Sequence, residues 1–264
     1  MLVRAQEHVA ATVDECNRGG GGGGYVGELL ERGELTPAEI ETNIPGLMMG
    51  GFETVAATLH WALIHLARNP AAQEVLRAEV HAVMGPPLRR RGFTRDLAKG
   101  MPYLRAVLRE TQRLTPTAFT FLRRLDEPMR LELPSDAALH GSLLPAGAWL
   151  AFSPVGFATD PALVEAPAEF LPERWLEGGG GKEAGGWRRR KREGEAIDHP
   201  LMRDGFGFGP RMCLGARLAR LELECAVSAI VSEHAISVVG SPEFGVGNHA
   251  STFPDPAPTL RFTR

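Results

Sequence analysis

The chain has 264 residues, of which 44% are hydrophobic and 23% charged, a composition typical of a globular protein with a buried core. Its formal net charge of −3 offers no basic excess for binding phosphates, so we expect no nucleic-acid partner. The three cysteines, Cys16, Cys213 and Cys225, are too few for a disulfide framework and favour a reducing, intracellular setting.

The N-terminal residues provide no targeting signal. The start, MLVRAQEHVA, lacks the apolar centre of a secretory signal, and no uninterrupted apolar run reaches the ~18 residues that span a membrane. The sequence therefore assigns neither a localisation beyond the intracellular setting nor a membrane association. A glycine run from Gly19 to Gly24 follows, and it predicts a flexible, glycine-rich start over residues 1–34.

The first strong pattern is a long helix over residues 35–69. Thr36 and Glu39 have capping-box spacing around a proline at the first helical position. Apolar residues then recur at helical spacing until Pro70, which ends the helix. Pro45 lies inside this pattern and is expected to kink or restart the helix.

The remaining pattern is mainly helical with a minor β component. A second helix opens at Pro70 and stops at Gly85, and apolar spacing changes to short runs between Thr117 and Phe152, which predicts a small sheet. We therefore predict an α+β fold, mainly α with a small β-sheet. Its further segments are a helix at 101–116, a low-complexity insert at 177–204, and a glycine-rich loop with its following helix at 206–232.

The most specific motif is the loop FGFGPRMCLG, which begins at Phe206 and places Cys213 directly before a long helix. Free N–H groups and the positive dipole end at a helix start favour a thiolate over a thiol. Gly209 permits a sharp turn, Gly215 lets a flat partner approach the backbone, and Arg211 is placed to meet a carboxylate. The alternative is a buried structural cysteine, which is the usual role of an isolated Cys.

Two glycines in the middle of the long helix, Gly50 and Gly51, precede Glu53 and Thr54. Each glycine costs roughly 1 kcal/mol relative to alanine, so the pair needs a structural reason. Three reasons are open: the close approach of a bulky planar group, a local widening of the helix, or a close crossing of this helix with another. An acid followed by a hydroxyl suits a proton relay.

A third pattern links Glu110 and Arg113, which are three residues apart on one helix and can form an ion pair. Alone this spacing has little weight. It gains weight from the later segment Pro172-Glu173-Arg174-Trp175.

Together these segments resemble the cytochrome P450 family. The cysteine loop has every fixed position of the family motif F-x-x-G-x-R-x-C-x-G. The long-helix segment from Gly50 to Thr54 resembles the family's oxygen-binding signature, and this segment, the E-x-x-R helix, the P-E-R segment and the cysteine loop come in the family's order. The resemblance implies that Cys213 is the thiolate ligand of a haem b iron. It also places Phe206, Gly209, Arg211 and Gly215 around that haem.

The resemblance also implies roles away from the cysteine loop. Glu53 and Thr54 take the proton-delivery positions, and Arg123 takes the position of a haem-propionate arginine, with Arg124 as its rival. Glu110, Arg113 and Arg174 take the positions of a buried structural triad. The branch is most similar to the mitochondrial and soluble bacterial types.

The function implied is a haem-dependent monooxygenase that inserts one oxygen atom of O2 into a small, lipophilic organic substrate. Electrons would come from NADPH or NADH through a ferredoxin or a flavoprotein reductase. Phe52, Phe119 and Phe121 are the pocket candidates. The resemblance covers only the C-terminal half of the family's fold, so we expect the chain to be incomplete as an enzyme. Two alternatives stay open: a truncated, non-catalytic product with little or no haem binding, and a haem-thiolate isomerase or dehydratase.

Overall fold

The structure is a computed structural model, and it describes residues 2–18, 24–85, 92–118, 120–133, 137–178, 187–189, 198–199, 205–240, 245–248 and 251–264. The chain divides into two compact units, Met1–Ala56 and Ala57–Arg264. The division falls inside one long helix.

The first unit is helical from its start. Helix α1 covers Leu2–Asn17 and α2 covers Tyr25–Arg32, and both precede α3, which covers Pro37–Arg68. The expectation of a flexible start over residues 1–34 is therefore wrong for the two helices, because they share an apolar core with the beginning of α3. The glycines 19–23 lie outside the described residues. The core consists of buried Val9, Val13, Ile40 and Ile44, with Val26, Leu29, Leu30 and Leu35 packed against them.

The start of α3 has the predicted capping box. The Thr36 N–H donates to Glu39 Oε2 at 2.8 Å, and the Glu39 N–H donates to Thr36 Oγ1 at 3.3 Å. The Thr36 N–H and the Thr36 hydroxyl both donate to the Glu39 carboxylate, and these two bonds lower the pKa of Glu39. Pro45 does not restart the helix, which is continuous from Pro37 to Arg68. Helix α3 is also long and apolar enough to cross a membrane, although a core helix of a soluble protein has the same length and composition.

The second unit is built around helices that follow α3. Pro70 opens α4 as predicted, and Gly85, with a φ of 72°, follows its last residue. The predicted 101–116 helix is α6, and the predicted C-terminal helix is α8. The helices are α4 (Pro70–Met84), α5 (Arg95–Lys99), α6 (Pro102–Leu114), α7 (Pro154–Ala158) and α8 (Ala216–Glu233), with 3₁₀ turns at Pro172–Trp175 and Gly209–Arg211.

The strands form five separate antiparallel pairs in the described residues. The predicted small sheet between positions 117 and 152 is two of these pairs, so the minor β component is confirmed and its single-sheet form is wrong. Within the predicted insert, the end of β5 pairs with β6. The pairs are β1 (Phe121–Arg124) with β4 (Trp149–Phe152), β2 (Met129–Arg130) with β3 (Leu143–Leu144), β5 (Leu176–Glu177) with β6 (Arg188–Arg189), β7 (Ala235–Val238) with β10 (Leu260–Thr263), and β8 (Gly245–Asn248) with β9 (Thr252–Asp255).

Helix α6 is the centre of this unit. Its N-terminal N–H groups at Tyr103 and Leu104 donate to the two carboxylate oxygens of Glu79 on α4, each at 2.9 Å. The Tyr103 hydroxyl donates to Glu173 Oε1 at 2.6 Å, which ties α6 to the 3₁₀ turn. Burial raises the pKa of Glu79 to about 7, while the two backbone bonds act in the opposite direction. The position of α6 is thereby fixed at both the α4 side and the 3₁₀-turn side.

Candidate haem-thiolate site

The cysteine loop presents Cys213 at the start of α8. The Cys213 N–H donates to the Phe206 carbonyl at 2.9 Å, and the Ala216 N–H donates to the Cys213 carbonyl at 3.3 Å. Gly207 and Gly209 have φ values of 74° and 70°, a region that side chains other than glycine rarely adopt. The predicted turn at Gly209 therefore needs its glycine.

Cys213 is exposed, so the alternative of a buried structural cysteine is wrong. It lies three residues before the first residue of α8, where the N-cap Gly215 makes no side-chain hydrogen bond. This end of the helix dipole stabilises a negative charge. The neighbouring Leu214 is 80% exposed and Leu218 is 61% exposed. An exposed thiol with exposed apolar side chains next to it in sequence and one turn along α8 is suited to a flat apolar group with a metal at its centre.

Two neighbouring elements hold the loop in place. A Cβ atom at Gly205 would lie 3.0 Å from Cδ of Gln112 on α6 and 3.2 Å from its Cβ, so a larger residue here would require the Gln112 side chain to shift. A Cβ atom at Gly207 would lie 3.8 Å from the Phe121 ring on β1. The cysteine loop is therefore packed between α6 and β1.

Phe206 has a further contact with α8. The Arg220 guanidinium carbon lies 4.7 Å from the centre of the Phe206 ring, within cation–π distance. Because the Phe206 carbonyl accepts the Cys213 N–H, this contact anchors the loop to the helix that follows it. The family motif does not predict this role of Arg220, because Arg220 lies 14 residues after Phe206 and meets its ring only in the folded chain.

The glycine at 215 has open space beside it. No described atom lies within 4 Å of a Cβ built at Gly215 or at Gly209. Gly215 also has an ordinary φ of −82°, so its backbone conformation does not require glycine. A group from outside the chain has room to approach the backbone at this position.

Two predicted arginines are exposed. Arg211 closes the 3₁₀ turn of the loop, and Arg123 lies on β1 with its Nη1 donating to the Leu122 carbonyl at 2.8 Å. Side chains alternate along a strand, so Arg123 shares a face with Phe121, the residue that contacts Gly207. Arg124 lies on the other face, and a Cβ at Gly147 would be 3.5 Å from its Nη2. This alternation favours Arg123 over Arg124 as the arginine nearer the loop.

The structure brings Glu110, Arg113 and Arg174 together. Arg113 donates from Nη2 and Nε to the two oxygens of Glu110 at 2.8 and 3.0 Å, and the Arg174 Nε donates to Glu110 Oε1 at 2.9 Å. The carboxylate also accepts the Trp175 Nε1–H at 2.9 Å and the Leu171 N–H at 3.0 Å. Five hydrogen bonds therefore compensate a carboxylate that is completely buried.

The two arginines extend this network to the backbone. Arg113 Nη1 donates to the carbonyls of Ala158 and Pro167, both at 2.7 Å, and its Nη2 donates to the Glu169 carbonyl at 2.9 Å. Arg174 Nη1 donates to the Glu165 carbonyl at 2.8 Å. The network thus joins α6, α7 and the segment before the 3₁₀ turn, and it contains no group that is placed to react.

Glu53 and Thr54 lie on α3 in the first unit. The Thr54 hydroxyl donates to the Gly50 carbonyl at 2.7 Å, a local helix bond, and Glu53 is partly buried. Helix α3 is regular here, so the suggested local widening is absent from the described helix. Within this unit nothing lies within 4 Å of a Cβ at Gly50 or Gly51, which argues against a close helix crossing as the reason for the two glycines.

The pocket candidates are only partly described. Phe52 is exposed on α3, and Phe121 lies beside the cysteine loop, while Phe119 lies outside the described residues.

Comparison with known proteins agrees with this geometry. The family model named Cytochrome P450 matches residues 27–244. The mitochondrial sterol 26-hydroxylase of Rattus norvegicus is 34% identical over 222 residues, which are 84% of this chain and 37% of that protein. The mitochondrial cholesterol side-chain cleavage enzyme of Hypanus americanus is 28% identical over 240 residues, which are 91% of this chain and 41% of that protein.

A solved structure has the same fold. The crystal structure of a cytochrome P450 (CYP102L1) aligns with a TM-score of 0.69 and 24% identity, and the alignment covers 87% of this chain and 47% of that one. The chain spans less than half the length of each of these proteins. From the family match, the cysteine loop and the shared fold, the chain belongs to the cytochrome P450 family.

Proposed function

We propose that this chain provides the haem-thiolate half of a monooxygenase that inserts one oxygen atom of O2 into a lipophilic substrate. The observation that carries the proposal is the exposed Cys213 thiol at the start of α8, within a loop fixed by two positive-φ glycines. Haem b would supply the oxygen-activating iron, and electron donation from a thiolate ligand favours cleavage of the O–O bond.

The residues of the chain have separate tasks in this proposal. Cys213 would hold the iron, and the two exposed arginines Arg211 and Arg123 would pair with the propionate carboxylates. Glu53 and Thr54 would pass protons toward the oxygen, since a carboxylate and a hydroxyl in sequence provide an acceptor and a donor. The acid–hydroxyl pair also argues against an isomerase or dehydratase, which needs no such proton delivery.

The substrate class follows from the relatives. The proteins from Rattus norvegicus and Hypanus americanus are named for sterol and cholesterol. We therefore propose a substrate of the sterol class, which agrees with the lipophilic substrate expected from the sequence. We propose that a ferredoxin or a flavoprotein reductase delivers the electrons of NADPH or NADH.

The test is the absorption spectrum of the haem-loaded protein with carbon monoxide. Cys213→Ala should abolish the red-shifted band of a thiolate haem, while Cys16→Ala and Cys225→Ala should retain it. Retention of the band by the Cys213 variant would overturn the assignment. Failure of the unaltered chain to bind haem under conditions that load a cytochrome P450 would instead favour a non-catalytic product.

A further inference from the structure

Two backbone hydrogen bonds hold Cys213 from either side. Its N–H donates to the Phe206 carbonyl at 2.9 Å, and its carbonyl accepts the Ala216 N–H at 3.3 Å. Phe206 is the first residue of the cysteine loop, and Ala216 is the first residue of α8. The conformation at Cys213 therefore depends on how the start of the loop is held relative to the start of the helix.

Arg220 connects these two ends. It is the fifth residue of α8, one helical turn after Ala216 and on the same face of the helix. Its guanidinium carbon lies 4.7 Å from the centre of the Phe206 ring. Both side chains are partly buried, so water and salt screen this attraction less than they would screen a fully exposed pair. Arg220 thus touches the residue that accepts the Cys213 N–H and extends from the helix that binds the Cys213 carbonyl.

The rest of the loop provides little restraint of its own. Gly207 and Gly209 lie between Phe206 and Cys213, and both have a positive φ and no side chain to limit the backbone. The ring of the exposed Phe208 meets His199 edge-on, with centroids 6.2 Å apart. Phe206 is therefore the aromatic residue of the loop whose ring lies against a cation of α8.

Gln112 supports the same segment from α6. A Cβ atom at Gly205 would lie 3.0 Å from Gln112 Cδ, so this side chain packs directly against the residue before Phe206. Contacts from α6 and α8 therefore meet at two successive residues of the chain. Neither Gln112 nor Arg220 is a fixed position of the cysteine-loop motif or of the E-x-x-R motif.

From these contacts we propose that Arg220 is a positioning residue for the haem ligand. Its cation–π contact holds Phe206, and the Phe206 carbonyl in turn holds the Cys213 backbone in the conformation that presents the sulfur. The part of this inference that concerns the iron rests on the proposed function, whereas the effect on the loop does not need haem. The role is also separate from attraction of an electron donor, because it depends on the Phe206 ring.

The first experiment measures hydrogen exchange of the Cys213 amide, by nuclear magnetic resonance, in the 264-residue chain without haem. Arg220→Met removes the cation and keeps a long side chain, and it should speed this exchange roughly two- to fivefold, the range that a partly exposed cation–π contact supports. Arg220→Lys keeps a cation that can lie over the ring and should retain most of the protection. Arg261→Met removes the same charge from exposed β10 and should change nothing.

A reference amide and a second variant separate this role from general instability. Val227 is buried on α8, and its amide exchange should be the same in all these proteins. Phe206→Leu should speed exchange at Cys213 about as much as Arg220→Met, and the double variant should show no further increase, since both changes remove one contact. Unchanged exchange at Cys213 in Arg220→Met, equal acceleration at Val227, or additive effects in the double variant would overturn the proposal.

The second experiment uses the haem-loaded protein and follows the red-shifted carbon monoxide band over time. Arg220→Met should lose this band at least about twofold faster than the unaltered protein, and Arg220→Lys should resemble the unaltered protein. Equal persistence of the band in all three proteins would overturn the role of Arg220 toward the iron. If the unaltered protein has no such band, the proposed function fails, and the exchange measurement still decides whether Arg220 holds the loop.

Discussion

Glu110 and Trp175 are joined by a buried hydrogen bond of 2.9 Å from the indole Nε1 to Oε2. Every other group that contacts this carboxylate through a hydrogen bond is also a donor: the guanidinium groups of Arg113 and Arg174 and the N–H of Leu171. Because only donors face it, the side chain at position 110 must have two acceptor oxygens.

We predict that Glu110→Gln lowers the free energy of unfolding by about 3–5 kcal/mol, the usual effect of breaking a buried ion pair. The amide NH2 of glutamine would face N–H donors, and the two arginines would lose their counter-charge. Urea unfolding followed by circular dichroism measures the change. Glu74→Gln is the matched control, because Glu74 pairs with Arg77 on α4 and its side chain is 67% exposed. The control should change stability by less than about 1 kcal/mol, and similar losses in the two variants would refute the prediction.

The motif residues of this network could be predicted, whereas its other members could not. The E-x-x-R spacing and the P-E-R segment identify three side chains, because the family resemblance links segments that are far apart in sequence. The N–H groups of Trp175 and Leu171 reach the Glu110 carboxylate only in the folded chain, so the sequence does not predict these two hydrogen bonds. Glu79 is similar: a glutamate within a helical pattern on α4 gives no sign that it caps α6, 24 residues later.

The cysteine loop likewise has some features that the sequence predicts and others that it does not. Its motif predicts the turn at Gly209 and the thiol at the helix start, since both follow from local backbone chemistry. The close contact between Gly205 and Gln112 cannot be predicted in this way, because Gln112 lies on another helix. The helices within residues 1–34 were missed because the glycine run dominated the pattern, although α1 and α2 have an apolar core in common.

His65 gives a prediction about pH. Burial lowers the pKa of His65 from its ordinary 6.5 to about 4, and its ring lies parallel to that of Phe170, with centroids 5.0 Å apart. Between pH 6.5 and 4 the unfolded chain binds this proton and the folded chain does not, so stability falls as the pH falls through that window. The effect should reach about 2 kcal/mol between pH 7.5 and pH 5.

The measurement is the free energy of unfolding as a function of pH for the unaltered chain and for His65→Phe. The variant keeps an aromatic ring against Phe170 and has no proton to bind. Its stability should therefore fall less steeply over this pH range than that of the unaltered chain. Parallel curves for the two proteins would show that His65 does not contribute to the acid sensitivity.

Thr54→Ala is predicted to leave haem binding intact and to divert electrons to hydrogen peroxide. The proposed relay loses the hydroxyl beside Glu53, and peroxide formed per NADPH consumed should rise at least about threefold. The control is Thr42→Ala on the same helix, because the Thr42 hydroxyl makes the same kind of bond, to the Ala38 carbonyl at 2.8 Å. An unchanged peroxide ratio in the Thr54 variant, or an equal rise in both, would return Thr54 to a structural role.

The proposed electron donor should approach a basic surface on α6 and α8 formed by Arg105, Arg109, Arg217 and Arg220. Three of these arginines have internal contacts, with Glu224, Trp175 and Phe206, so changing them would also disturb the fold.

Arg217 is the best position for a charge reversal, because it is exposed and makes no ion pair with the described residues. Arg217→Glu should slow haem reduction by an acidic ferredoxin several-fold at low salt, since steering by opposite charges raises the association rate by about 10-fold or more. The difference from the unaltered protein should shrink toward 1 M salt, where the Debye length falls to about 3 Å.

Arg261→Glu on β10 is the control, and it should leave the rate unchanged because β10 lies outside the α6–α8 surface. Stopped-flow absorbance at increasing donor concentration measures the association rate. Equal slowing by both variants would indicate a general charge effect, and a rate independent of salt would assign docking to another face.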